Sequence, residues 1–417
     1  MLRHIKKIDT FGRNIIFVFL GTSLANVLNL LYQLLLAHNL SSIDFAGFSS
    51  LLAIFTLISS PLTTLQTAIA KYTAEFNAHN QAQKIQALLA SLIRKTLFLG
   101  GITFIIFYFL SPYIINILKI SSVSSGYILA LLIAFCWITP ILTGSLQGLE
   151  LFKWLVSQSL ISGAAKLIFA FIFIKLGFNI AGALGAFLVS GLIGIIIAIP
   201  PLKNLLSFKP IKDGIKLKEF FLFLGPVAAS SFCFIALVSV DMILVKYFFK
   251  PIDAGFYSLA QILGKIFLFL PGAIAVVMFP KTAGLKARNM NTGSTLNRSL
   301  LYAFILCIIV NLGYNIFPSL TLRILTGKVF DESIMLGRLF GISMSFFALL
   351  FILINYFLSI KDLRFIKYMI LSVLLESFAI ILLHRTLIDV QLILCINSVL
   401  LFLACSFLAY KKRGVFA

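Results

Sequence analysis

Charge is scarce in this chain, and acid is scarcer than base. Only 11% of the 417 residues are charged, and Lys and Arg outnumber Asp and Glu by 34 to 13. Soluble domains carry about 25% charged residues, so an ordinary water-facing surface is excluded. Cysteine is sparse as well: Cys136, Cys233, Cys307, Cys395 and Cys405 all lie inside apolar runs, without CxxC or metal-ligand spacing. They fit small apolar packing residues and offer neither a disulfide framework nor a metal site. A phosphate-cradling Gly-rich loop, a His cluster and a Ser-His-Asp spacing are all missing. The expectation is therefore a protein that is not an enzyme and holds no cofactor.

Hydrocarbon is what the chain has in excess. Hydrophobic residues make up 61%, with 43 Phe, and mean hydropathy is +1.09. A helix needs about 20 apolar residues, rising about 1.5 Å each, to cross a hydrocarbon core of about 30 Å. Runs of that length, broken by polar clusters, predict twelve transmembrane helices near 13–37, 44–70, 88–110, 126–148, 154–175, 180–201, 219–247, 255–280, 299–318, 334–358, 364–384 and 388–410. Arg3, Lys6 and Lys7 precede a first run without a small-residue cleavage pattern, so that helix is expected to be retained. The predicted fold class is all-α: a polytopic membrane protein whose twelve helices form two six-helix pseudo-symmetric bundles around a central cavity.

The basic residues sort across those spans. Twenty-four fall on the side of the N-terminus, eight on the other, and Lys166 and Lys265 remain inside. This bias places both termini in the cytoplasm of a cell membrane. It also accounts for the net charge of +21, because a basic cytoplasmic face gains about 1 kcal/mol per well-placed side chain against an anionic leaflet. A nucleic-acid partner is not needed to explain it; membrane lipids are.

Pro200, Pro201, Pro210 and Gly214 mark a boundary between halves, giving a bundle at 1–202, a cytoplasmic linker at 203–218 and a second bundle at 219–417. Each half carries a similar signature: Ile43 to Phe48 (IDFAGF) beside Ile252 to Tyr257 (IDAGFY), each preceding a helix with a proline, Pro61 or Pro271. Gly148 to Trp154 (GLELFKW) has a looser partner in Ile360 to Phe365 (IKDLRF). An even number of helices per half makes the repeat parallel, an arrangement of secondary transporters that bind substrate near the midplane and work by alternating access.

Polar residues inside the spans are the candidates for function. A charge at a helix centre costs about 2.5 to 3.5 kcal/mol, so each should face a bundle interior or a wet cavity. Lys265 suits a substrate-facing cation, a structural ion pair or a snorkelling lysine; for Lys166 the first two readings are equal. Asp241 suits ion coupling, a pair with Lys246 or a cap. Glu376 suits proton coupling or a pair with Lys166. Asn26, Asn29 and Gln33 form one stripe on the first helix, near Tyr32, suited to a cavity wall or to interhelical hydrogen bonds. Pro61, Pro140 and Pro271 interrupt helices within the membrane.

With these features, the stretches Gln66 to Phe76 (QTAIAKYTAEF), Leu146 to Trp154 (LQGLELFKW) and Leu224 to Lys246 (LGPVAASSFCFIALVSVDMILVK) resemble the prokaryotic polysaccharide flippases. These are the oligosaccharide-lipid exporters of the multidrug/oligosaccharidyl-lipid/polysaccharide exporter superfamily. The resemblance spans the whole chain. It implies a substrate made of a polyprenyl diphosphate carrying an oligosaccharide, moved to the outer leaflet for cell-surface polysaccharide biosynthesis. A glycan polymerase partner and a Na⁺ or H⁺ gradient are implied alongside. Substrate binding would then fall to Lys265, Lys166, Arg13, Lys71, Lys281, Asn29 and Gln33, and ion coupling to Asp241 and Glu376. The alternative is a cation-coupled small-molecule or multidrug antiporter of the same superfamily, against which stands the lack of a carboxylate in the first helix. Cysteines introduced at Lys84 and Arg288 should react with impermeant reagent only from the cytoplasmic side; labelling from outside would reverse the topology.

Overall fold

The computed structural model describes residues 10–206, 217–287 and 290–411. Most of the 203–218 linker, Arg288 and the side chain of Arg13 lie outside the described residues. Among the described residues are sixteen helices, α1 (Thr10–Asn39), α2 (Ser42–Ser59), α3 (Leu62–Ala78), α4 (Ala82–Ile117), α5 (Val123–Phe135), α6 (Thr139–Gly148), α7 (Phe152–Lys175) and α8 (Asn179–Leu202), then α9 (Leu217–Leu237), α10 (Val240–Phe248), α11 (Pro251–Ala287), α12 (Gly293–Ile316), α13 (Pro318–Thr326), α14 (Asp331–Ser359), α15 (Phe365–Leu383) and α16 (Leu387–Lys411). All but α13 fall onto the twelve predicted spans. Ten pass a length and hydropathy test for crossing a membrane among the described residues, or eleven if a bent pair is one span. The all-α membrane fold stands.

Three spans are made of two helices each. Pro61 stands at the head of α3 and Pro140 in the first turn of α6. Proline lacks the N–H that would continue the preceding helix but suits a first turn, which explains a break at each site. Pro271 behaves differently, since α11 runs on past it. The third break, between α9 and α10, bends the span by 40° at Val238 and Ser239 without a proline. It was not expected from sequence. The outer connection between α12 and α14 also carries a short helix, α13, closed by Gly327 in the left-handed conformation.

The chain divides into two compact units. One comprises residues 1–39 and 58–225, the other residues 40–57 and 226–417. In the first unit α7 packs on α8 and α1, and α3 on α6. The α3 and α6 contact is close because of two glycines spaced four apart: a Cβ at Gly144 would lie 2.6 Å from the Gln66 carbonyl oxygen, and one at Gly148 2.5 Å from that of Ala70. Helices in lipid gain little from the hydrophobic effect against one another, so close backbone approach over small residues is a main source of packing energy.

In the second unit α14 packs on α11 and α16 around Phe340, Phe347 and Phe357. Residues 40–57 belong to this unit, and their Ala46 joins its core. A Cβ at Gly255 would lie 3.0 Å from the Cβ of Ser42, so the two copies of the repeated signature meet here. Lys328, outside the spans, donates through Nζ to the Leu40 carbonyl. Burial lowers the Lys328 pKa while the nearby Asp44 carboxylate works to raise it.

The two stretches of the looser repeat end in the same kind of helix stop, one that also closes α3, α4 and α7. After α6, the Leu151 N–H donates to the Leu146 carbonyl (2.9 Å) and Glu150 to Gln147 (3.1 Å); after α14, Asp362 donates to Phe357 (2.9 Å) and Lys361 to Leu358 (3.2 Å). Glu150 and Lys361 both hold φ at +57°. The same left-handed helix stop thus ends both stretches. Large apolar side chains such as Phe98, Phe109, Leu374 and Phe407 stay exposed on the long helices, as a lipid-facing surface requires.

Gly148→Ala should lower the thermal midpoint of the detergent-purified protein, by overpacking worth about 1 to 3 kcal/mol. Gly101→Ala, where a Cβ meets nothing within 4 Å, should not. Equal midpoints would show that the α3 and α6 contact has slack.

Candidate substrate cavity and buried carboxylate network

The first unit carries an open cavity of about 300 Å³ lined by Thr22, Ala25, Asn26, Asn29, Ser159, Ser162, Gly163, Lys166 and Ser190. Its walls are α1, α7 and α8. Positions 22, 25, 26 and 29 on α1, and 159, 162, 163 and 166 on α7, repeat the three-and-four spacing of one helical face. Close approach of α1 to α7 follows from Gly21 packed on Val156 and Gly163 packed on Leu28.

Among the described residues Lys166 is the one cation lining this cavity, with only 8% of its surface exposed. Its Nζ donates to Asn29 Oδ1 and lies 5.1 Å from the Tyr32 ring centroid and 4.6 Å from that of Phe187. Tyr32 is itself fixed by donating to the Ala183 carbonyl on α8 at 2.8 Å. Such cation–π contacts are worth about 2 kcal/mol when desolvated, partial compensation for an ammonium kept from water. Of the polar stripe on α1, Asn26 and Asn29 reach the cavity, whereas Gln33, half-buried one turn further on, does not line it.

The second unit holds the carboxylates. Asp241 is fully buried in the first turn of α10, directly after the break in its span. The exposed N–H groups and positive end of that new helix favour a carboxylate there. Asp241 Oδ2 accepts from the Tyr257 hydroxyl at 2.7 Å and from Gln261 Nε2 at 3.3 Å. Tyr257 also lies 3.3 Å from Gln391 Oε1, and Gln391 Nε2 donates to Ser343 Oγ at 2.8 Å. Helices α10, α11, α14 and α16 are thereby joined. Lys265 stands four residues beyond Gln261 on α11, close enough that its charge and that of Asp241 act on one another.

Glu376 on α15 accepts from Asn397 Nδ2 at 2.5 Å, and Asn397 Oδ1 accepts from Ser372 Oγ at 2.7 Å. The charges of Glu376 and Asp241 also interact. Within the first unit Lys166 is bonded to Asn29; within the second, Glu376 is bonded to Asn397 and Asp241 to Tyr257 and Gln261. The remaining basic candidates differ in kind. Lys71 on α3 and Lys281 on α11 are exposed, and Lys71 lies 5.5 Å from the ring centroid of Tyr72.

The sequence did contain signals for the missed residues. Tyr257, Gln261 and Lys265 recur every four residues on α11, and Ser159, Ser162 and Lys166 every three or four on α7, which puts each set on one face. Gln391, Ser343 and Asn397 stand alone among apolar residues and became legible only through packing.

The polysaccharide biosynthesis protein family matches residues 11–286. The chain belongs to that family. It is also similar to solved structures of exporters. One is an inward-facing multidrug resistance MATE family transporter of the MOP superfamily, 14% identical, with a TM-score of 0.76 over 94% of this chain and 96% of that one. Another is the lipid II flippase MurJ in an inward closed conformation, 18% identical, with a TM-score of 0.71 over 95% and 87%. A third is a MOP superfamily transporter from Pyrococcus furiosus Vc1, whose binding pocket is described as reversed in polarity, 15% identical with a TM-score of 0.54 over 94% and 93%. At these identities the common property is the fold. A comparison with curated proteins found no match.

Tyr257→Phe removes the shortest bond to Asp241 and leaves that buried oxygen short of a donor. The purified protein should lose stability on the order of 1 to 3 kcal/mol, read as a lower thermal midpoint. An unchanged midpoint would mean that the hydroxyl does not hold the network together.

Proposed function

We propose that the chain is a flippase that moves polyprenyl-diphosphate-linked oligosaccharide repeat units from the cytoplasmic to the outer leaflet, by alternating access, for cell-surface polysaccharide biosynthesis. Family membership supports a place in polysaccharide assembly. The observation that carries the substrate reading is that the charged side chain lining the first unit's polar cavity is a lysine, Lys166, and not a carboxylate, which disfavours a cationic cargo without itself marking the diphosphate's place. A lipid diphosphate is anionic and strongly hydrated, and its passage through a low-dielectric region calls for cations along the route. Lys265 is the intramembrane cation assigned to that headgroup, with Lys71, Lys281 and Arg13 as basic groups at the cytoplasmic mouth. Lys166 adds positive potential deeper in the first unit. The prenyl tail stays in lipid throughout.

In this reading the protein works in the cell membrane with both termini cytoplasmic and hands its product to a glycan polymerase outside. Asp241 and Glu376 are the groups proposed to couple transport to a Na⁺ or H⁺ gradient. Their mutual interaction supports this, because a cation or proton arriving at either would be felt by the other. The same carboxylates favour the second reading, a cation-coupled small-molecule antiporter, for which the likeness to a multidrug transporter supplies the fold.

Transbilayer movement of a fluorescent polyprenyl-diphosphate oligosaccharide in proteoliposomes separates the two. Wild type should move it, faster under an imposed Na⁺ or H⁺ gradient, and Lys265→Ala should cut the rate at least tenfold with normal insertion. No movement, with gradient-driven uptake of a cationic dye instead, would sink the flippase reading in favour of the antiporter.

A further inference from the structure

The hydrogens around the Lys166 cavity are distributed in a way that distinguishes one part of a lipid-linked glycan from another. Three of its hydroxyls already donate to their own helices: Ser159 to the Leu155 carbonyl at 3.1 Å, Ser190 to Phe187 at 2.9 Å and Thr22 to Val18 at 2.9 Å. Each hydroxyl has a single proton, so these oxygens present only lone pairs to the cavity. Donors come from elsewhere. Lys166 has three N–H groups, of which Asn29 takes one. A lysine can only donate, which fixes the Asn29 oxygen toward it and leaves the amide nitrogen as a donor. Ser162 Oγ is buried without a hydrogen-bond partner among the described residues, and Asn26, exposed on α1, adds an amide with both capacities.

The cavity therefore mixes acceptors and donors over a small space. A phosphate or diphosphate is acceptor-only and would set its oxygens against the lone pairs of Thr22, Ser159 and Ser190. A sugar ring both donates and accepts at each hydroxyl and satisfies both sets. The volume, about 300 Å³, lies at the lower end of the range of about 300 to 1,000 Å³ for small-molecule sites, and suits one ring, not a repeat unit of several. Gly194 preserves the site, since a Cβ there would lie 2.8 Å from Ser162 Oγ.

We infer that this cavity is a monosaccharide subsite, holding one sugar ring of the transported glycan by its hydroxyl groups, with the diphosphate bound elsewhere. Lys166 in this arrangement is a sugar-hydroxyl donor held in place by Asn29, Tyr32 and Phe187. The inference rests on the flippase reading for its physiological substrate, yet it concerns binding alone and can be measured without transport.

The test uses the full chain in lipid nanodiscs, with saturation-transfer NMR against methyl glycosides of glucose, N-acetylglucosamine and glucuronic acid, and separate titration with inorganic pyrophosphate. At least one glycoside should bind. Ser159→Ala with Ser190→Ala, which removes two acceptors and leaves the Lys166–Asn29 bond in place, should weaken it at least tenfold, as should Ser162→Ala alone. Pyrophosphate affinity should be the same in all three proteins. Glycoside binding that ignores both variants, or pyrophosphate binding that they alone diminish, would overturn the subsite. Lipid-linked oligosaccharide transport measured in parallel keeps the two readings apart. Transport without a serine-dependent glycoside site refutes the subsite and spares the flippase; serine-dependent glycoside binding without transport does the reverse.

Discussion

An ionised side chain surrounded by hydrocarbon has no water to turn to, so its partners must come from the helices around it. That constraint organises both units. Lys166 lies against two aromatic rings and an asparagine oxygen, and Asp241 stands at a helix start with a tyrosine and a glutamine. Each partner fixes the rotation of the helix that carries it. Tyr32 and Asn29 set α1 against α7 and α8, while Tyr257, Gln261 and Gln391 set α11 against α10 and α16. Packing over glycine then brings these helices close enough for the bonds to form, since the apolar contacts could tolerate several rotations and the polar ones cannot.

The break between α9 and α10 shows the same constraint acting on the backbone. Ending one helix at Leu237 and starting another at Val240 frees N–H groups inside the membrane, where a vacant donor costs several kcal/mol. A carboxylate in the first turn of the new helix offsets that cost. Break and acid are complementary.

Spans, basic asymmetry and the internal repeat were legible in the sequence because each depends on composition or local order. Hydrophobic runs longer than a bilayer have few alternatives, and the pair of turns at Glu150 and Lys361 share both a sequence pattern and a left-handed φ. Lys166, Asn29 and Asp241 were recognisable as polar residues out of place. Their partners were not, because sequence reports the cost of a buried charge without naming what meets it. An opposite charge is one answer that sequence offers, and for Glu376 it leaves a pair with Lys166 and proton coupling equally open. Neutral amides and rings serve instead, for an amide satisfies a buried ion without adding a second charge to desolvate. The bend at Ser239 was hidden for a related reason: no proline marks it.

Residues 40–57 lie in the second unit although their neighbours on either side lie in the first. The polypeptide therefore passes from unit to unit at three places: after Asn39, after Leu57 and after Gly225. A cut within the 203–218 segment would therefore leave residues 40–57 of the second unit, with core residue Ala46, on the N-terminal fragment.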